Sequence, residues 1–174
     1  IVVLALRDGK LWWRSFARAA PAVATLRGAQ VSVSGAGVDE ARRAEGVIEF
    51  AKRSNERLGI IELDEQSLPR LLGTDRIEGE LAVWSGRIGL LAALIGESDL
   101  YIGYDSAGQH IAAAMGVPCV DVLAGFSSRR VLDRWRPAGK AETRVVIVEQ
   151  SMTEEEVLRE TLSHAREVLD RRIV

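Results

Sequence analysis

The sequence predicts an α/β protein, a parallel sheet of about six strands with helices on both faces. Three observations predict it. Short strand-like runs recur along the chain: Ile1–Leu6, Gln30–Ser34, Leu58–Leu63, Leu100–Tyr104, Cys119–Leu123 and Val145–Val148. Several are apolar throughout rather than alternating, as strands buried on both faces require. Helical patterns separate most of them, and alternation of strand and helix implies parallel pairing.

The elements follow in order. Ile1–Leu6 is the first strand, and Arg7-Asp8-Gly9-Lys10 is its loop. Trp12-Trp13 opens a helix to about Leu26, disturbed by Pro21. After the second strand, Gly35-Ala36-Gly37 turns the chain, and Asp39-Glu40 opens a helix with acids in its first turn. The third strand is Leu58–Leu63. From Asp64 to Trp84, Pro69, Gly73 and Gly79 break the pattern, and an irregular connection is expected. Ser85 is the expected cap of a helix over Arg87–Gly96, striped by Ile88, Leu91, Ala92 and Ile95. The fourth strand, Leu100–Tyr104, runs through Asp105-Ser106-Ala107-Gly108 into an alanine-rich helix. Gly116 and Pro118 end that helix. Cys119–Leu123 is the fifth strand. Ala124 to Gly139 reads as a long surface loop, and Val145–Val148 as the sixth strand. Ser151 or Thr153 caps the last helix, each with a Glu three residues on.

With 174 residues, 47% hydrophobic content and 16 glycines, the chain fits one domain, residues 1–174, with a proper core. A formal charge of −2 argues against nucleic-acid binding. No apolar run is long enough to cross a bilayer, so at most peripheral membrane contact is expected. The lone Cys119 lies in an apolar run and reads as a buried structural thiol, which a reducing compartment permits. The sequence starts on an apolar run without an initiator Met, so it is expected to be either a cut piece of something longer or a chain from which preceding residues were removed.

The expected strand order, 3-2-1-4-5-6, puts a switch point between the first and fourth strands. Ligands of such sheets bind there, outside the carboxyl ends. The Lys10 loop, the Gly37–Glu40 segment and Asp105–Gly108 would meet in that crevice. Familiar motifs are missing from it. After Gly35 and Gly37, the third glycine of a dinucleotide fingerprint would fall at Glu40, and no P-loop is present. Two histidines and one cysteine make no zinc cluster, and no metal or cofactor is expected. Ser106 lacks the glycines of a nucleophile elbow.

A phosphate cradle remains. The Ser106 hydroxyl, the Ala107 and Gly108 amides and His110 face one anion at a helix N-terminus. Gly108 lets a ligand approach the backbone closely. Lys10 supplies a further cation, and Glu40 suits a ribose hydroxyl. Together these roles describe a nucleotide diphosphate. Each residue also has a plain reading. Asp105 and Ser106 serve as helix caps, His110 as a half-buried structural histidine, Glu40 as a first-turn acid and Lys10 as a solvated charge. Trp12, Trp13 and Trp135 read as packing rather than stacking residues.

The run Asp105-Ser106-Ala107-Gly108-Gln109-His110-Ile111-Ala112-Ala113-Ala114-Met115-Gly116-Val117-Pro118 resembles the signature of the family 9 glycosyltransferases, the lipopolysaccharide heptosyltransferases. Lys10-Leu11-Trp12, Ser34–Glu40, Ser85–Gly96 and Trp135-Arg136-Pro137 are similar to other family features in the same order. Ala107 departs from the usual Gly or Thr, and Gly108 from a common Pro. The resemblance implies the C-terminal, Rossmann-like half of a GT-B enzyme, which binds a nucleotide sugar such as ADP-heptose. Asp105 would then contact the donor sugar, Ser106–Gly108 and His110 the diphosphate, Lys10 a phosphate and Glu40 the ribose. An N-terminal acceptor domain, which carries the family's acidic catalytic residue, the expected base, would lie outside this chain, leaving the chain inactive alone. A cytoplasmic location, at the inner face of the cytoplasmic membrane, goes with that role. Two other readings stay open: a nucleotide- or sugar-phosphate-binding module without transfer chemistry, and a nucleotide-sugar 2-epimerase-like enzyme. The extra acidic residues that an epimerase needs are not identified.

Overall fold

The computed structural model describes residues 2–5, 31–34, 49, 53, 60–66, 81–84, 86–104, 107–125 and 128–171. Its strands are β1 Val2–Ala5, β2 Val31–Ser34, β3 Ile60–Leu63, β4 Leu81–Trp84, β5 Leu100–Tyr104, β6 Cys119–Ala124 and β7 Thr143–Val148. They form one sheet in the order β3-β4-β2-β1-β5-β6-β7, and every pairing is parallel. The described helices are α1 Ile88–Gly96, α2 Ala107–Met115, α3 Arg129–Trp135 and α4 Glu154–Arg171. The helices expected near 12–26 and 39–51 lie almost wholly outside the described residues; Glu49 and Arg53 are helical and form an ion pair of 3.0 Å.

The sheet corrects the expected count. Among the described residues it has seven strands where about six are expected, because Leu81–Trp84 pairs with both β2 and β3. The other strands keep the expected order. This four-residue strand has no alternation, and it lies among glycines that read as breakers, so its sequence carries little strand signal. Two further expectations change. The cap position of α1 is Arg87, in extended conformation, rather than Ser85. The expected surface loop after β6 contains α3, which turns Leu132 into the core.

Alternation along the strands divides the core. Tyr101 and Cys119, paired in register, face α1 and α2. Trp84, Leu94, Ile95, Ala112 and Val117 bury with them, and Leu90, Leu91 and Ile111 pack against this cluster. Ile102, Val120, Val122 and Val146 face the other way, where Arg144, in register with Val120, reaches Glu167 of α4 at 3.6 Å. Helix α4 buries Val157, Ala165 and Val168 on this second face. Burial on both faces accounts for the apolar character of β5 and β6.

Local chemistry sets the helix ends. Gly116 has φ 76°, the Gly116 N–H donates to Ala113 O and the Val117 N–H to Ala112 O. This paired closure satisfies the last carbonyls of α2 and needs a residue tolerant of positive φ. At α4 the cap is Thr153. The Glu156 N–H donates to Thr153 Oγ1 at 3.3 Å, and the Thr153 N–H donates to Glu156 Oε2 at 2.8 Å. That is the reciprocal box anticipated for one of the two candidates.

Candidate functional site

The connection after β1 leads to β2 on one side, and the connection after β5 leads to β6 on the other. The chain therefore diverges at the carboxyl ends of β1 and β5, the place where sheets of this kind bind ligands. Helix α2 starts at that place, three residues after β5 ends at Tyr104. Its first N–H groups lack acceptors within the helix and point past the sheet's carboxyl edge with the positive end of the dipole.

Helical periodicity sorts the first turn. Gly108, Gln109, Ala112 and Ala113 are buried, while Ala107 and His110 are exposed. Among the predicted site residues, Ala107, Gly108 and His110 thus come together in one turn. Lys10, Gly37, Glu40, Asp105 and Ser106 lie outside the described residues. The missing side chain of Gly108 is accounted for from inside. A Cβ there would overlap the phenol of Tyr101, with Cζ only 2.7 Å away. A Cβ at Gly103 would likewise overlap that ring, 2.7 Å from its Cε1. Two glycines therefore let the wholly buried Tyr101 lie between β5 and the start of α2.

His110 has two close neighbours. Its Nε2 lies 3.5 Å from the Gln109 amide nitrogen. Its ring centroid is 6.3 Å from that of Trp135, with the planes inclined at 49°. The same Gln109 nitrogen donates to the backbone carbonyl of Trp135 at 3.3 Å. Trp135 is half-exposed, so it flanks the exposed face of the turn instead of filling the core. From the sequence Trp135 reads as packing, and nothing there marks Gln109. Both gain a place at the site through α3, an element the sequence did not reveal.

At the same edge of the sheet, the turn after β3 is tied to the start of α1. The Arg87 guanidinium meets Glu65 at 2.8 Å, and the Arg87 N–H donates to the same carboxylate at 3.0 Å. These bonds from Arg87 hold the Glu65 carboxyl below its ordinary range. Deeper in the sheet, Cys119 is buried with its Sγ 3.4 Å from Thr143 Oγ1. Burial first, then the nearby Asp121 carboxylate, pushes its thiol up to about 12. A thiol so placed is not a nucleophile. Among the described residues, no group of three or more His, Cys, Asp or Glu is arranged to hold a metal ion, and no helix is long and apolar enough to cross a membrane.

No protein-family model and no curated protein matches the sequence. The structure, however, is similar to a glycosyl transferase of family 9 from Veillonella parvula, with a TM-score of 0.63 and 16% identity over 98% of this chain and 46% of that one. It is also similar to the E. coli heptosyltransferase WaaC. In the structure with ADP the TM-score is 0.60, at 14% identity, over 96% of this chain and 43% of WaaC. In the structure with ADP-2-deoxy-2-fluoro heptose it is 0.58, at 15% identity, over 98% and 42%. The chain thus spans less than half the length of each of these proteins. At such identities the likeness shows the fold: this chain folds like part of a heptosyltransferase-type glycosyltransferase, the group whose signature its sequence resembles.

Proposed function

We propose that residues 1–174 are the nucleotide-sugar-binding domain of a heptosyltransferase-like glycosyltransferase, corresponding to the C-terminal half of a GT-B enzyme. The observation that carries this reading is the position of α2. Its N-terminus, with His110 exposed on the first turn, stands at the carboxyl ends of β1 and β5 where the chain diverges. The likeness to a heptosyltransferase with ADP and with an ADP-heptose analogue supports the choice of ligand.

In this reading the free amides at Ala107 and Gly108, with Ser106 and His110, hold the diphosphate. Lys10 adds a phosphate contact, Glu40 takes the ribose beside the Gly37 turn, and Asp105 meets the sugar. The donors are in place before reaction and stabilise the charge that grows on the diphosphate as the anomeric bond breaks. The acceptor, a cell-surface glycan such as lipopolysaccharide core, and the catalytic base belong to residues outside this chain. The chain alone is then inactive, and the whole enzyme works on the cytoplasmic side of the membrane.

Calorimetric titration with ADP, UDP, GDP and their sugar conjugates tests the proposal. Tightest binding is expected from ADP-heptose. Binding of free nucleotide with no gain from any attached sugar would favour a module without transfer chemistry. Failure of every nucleoside diphosphate to bind would overturn the reading.

A further inference from the structure

We propose that Trp135 is a positioning residue for this site, acting through His110; the inference rests on the diphosphate reading of α2. Three observations carry it. The indole lies beside the imidazole, with centroids 6.3 Å apart and planes at 49°, within the range of productive aromatic contact. Both side chains are exposed on their outer sides, so the pair borders the mouth of the site. Burial of this pair as ordinary core therefore does not account for the contact.

The third observation is how firmly the segment carrying Trp135 is fixed to α2. Gln109, wholly buried, donates its amide nitrogen to the Trp135 carbonyl at 3.3 Å. The same nitrogen lies 3.5 Å from His110 Nε2, so one carboxamide touches both partners. Among the described residues its Oε1 has no hydrogen-bond partner, and it is out of contact with solvent. A buried amide left half-satisfied costs stability, and in this fold it ties Trp135 to the helix that bears His110. Further along, Pro137 is buried, and Gly139 lies so close to α2 that a Cβ would overlap the Ala113 carbonyl. Trp135 is thus anchored at its own carbonyl and by the two buried or closely packed residues that follow, and the ring fixes the direction of the imidazole over the first turn of α2. An imidazole held in one rotamer loses less freedom when it meets an anion.

The test is ADP titration of the 174-residue chain and its variants. Trp135→Ala is expected to weaken ADP about fivefold, the size of an aromatic pair's contribution. Trp135→Phe keeps a ring and should stay within about twofold. Trp135→Leu keeps apolar bulk without a ring and should behave like Ala, which guards against a loss through unfolding. On top of His110→Ala, the Trp135→Ala change should add nothing, since its only route to the ligand is gone. Unchanged affinity in Trp135→Ala, or the same loss with and without His110, would overturn the role of Trp135 alone. Absence of ADP binding by the unaltered chain would instead overturn the reading of the site, and this role with it.

Discussion

Gly108 lies directly over the ring of Tyr101, so close that no side chain fits between the first turn of α2 and the phenol. This contact sets how near the helix N-terminus sits to the sheet, and therefore where its free amides point. Gly108→Ala gains some helix propensity but must push either the helix or the ring aside. Overpacking outweighs propensity here, and the variant is expected to lose about 1–3 kcal/mol of stability in denaturant unfolding. Stability equal to or above that of the unaltered chain would contradict the packing.

Thr153 and Glu156 make a second local prediction. Hydrogen bonds from the Thr153 backbone and hydroxyl hold the Glu156 carboxyl below its ordinary value. A depressed carboxylate stabilises the fold above its unfolded value of 4.5 and loses that contribution as pH falls through the folded one. Loss of the cap that Thr153 Oγ1 gives the Glu156 N–H should make Thr153→Ala cost ~1 kcal/mol at neutral pH. The difference between variant and parent should shrink in unfolding measured at about pH 3.5. The Thr153 N–H survives in the variant, so a penalty independent of pH would show that the hydroxyl's bond to the Glu156 carboxylate contributes nothing.

Cys119 provides a third. Its thiol is raised to about 12 in the fold. A raised acid favours the folded state below its unfolded value and loses that contribution as pH climbs toward the folded one. Within that window the native thiol stays protonated. Iodoacetamide at about pH 8 should leave Cys119 unlabelled in native protein and label it on unfolding, because only the thiolate reacts. Mass spectrometry reads the outcome, and rapid native labelling would contradict the burial.

What was legible in the sequence follows from how locally each feature is encoded. β5, α2 and β6 are read correctly because an apolar run, a turn cluster, an alanine-rich helix and a Gly-x-Pro stop follow one another without a gap. α4 is read because its eighteen residues carry a sustained periodic stripe and a capping box. β4 and α3 were missed for want of length. Leu81–Trp84 is a strand because two neighbours hold it, and Arg129–Trp135 is a helix with one fully buried residue, Leu132. Neither has enough residues to declare a period.

The site divides in the same way. Ala107, Gly108 and His110 follow from a strand feeding a helix, which is visible in sequence. The inward use of Gly108 was not visible, since it depends on Tyr101 reaching back under the helix. The place of Trp135 was invisible for the same reason: its tie to Gln109 spans 26 residues and runs through a helix the sequence did not announce. Side-chain pairs of that kind are products of tertiary packing, and spacing does not encode them.

The most direct test of the central claim is calorimetric titration of the chain with ADP, alongside His110→Ala. The account predicts saturable binding by the parent and a loss of about 1–3 kcal/mol in the variant, the range for a hydrogen bond to a charged group, with an unchanged unfolding transition. No binding by the parent, or equal affinity in a folded His110→Ala chain, would contradict a diphosphate held at the start of α2.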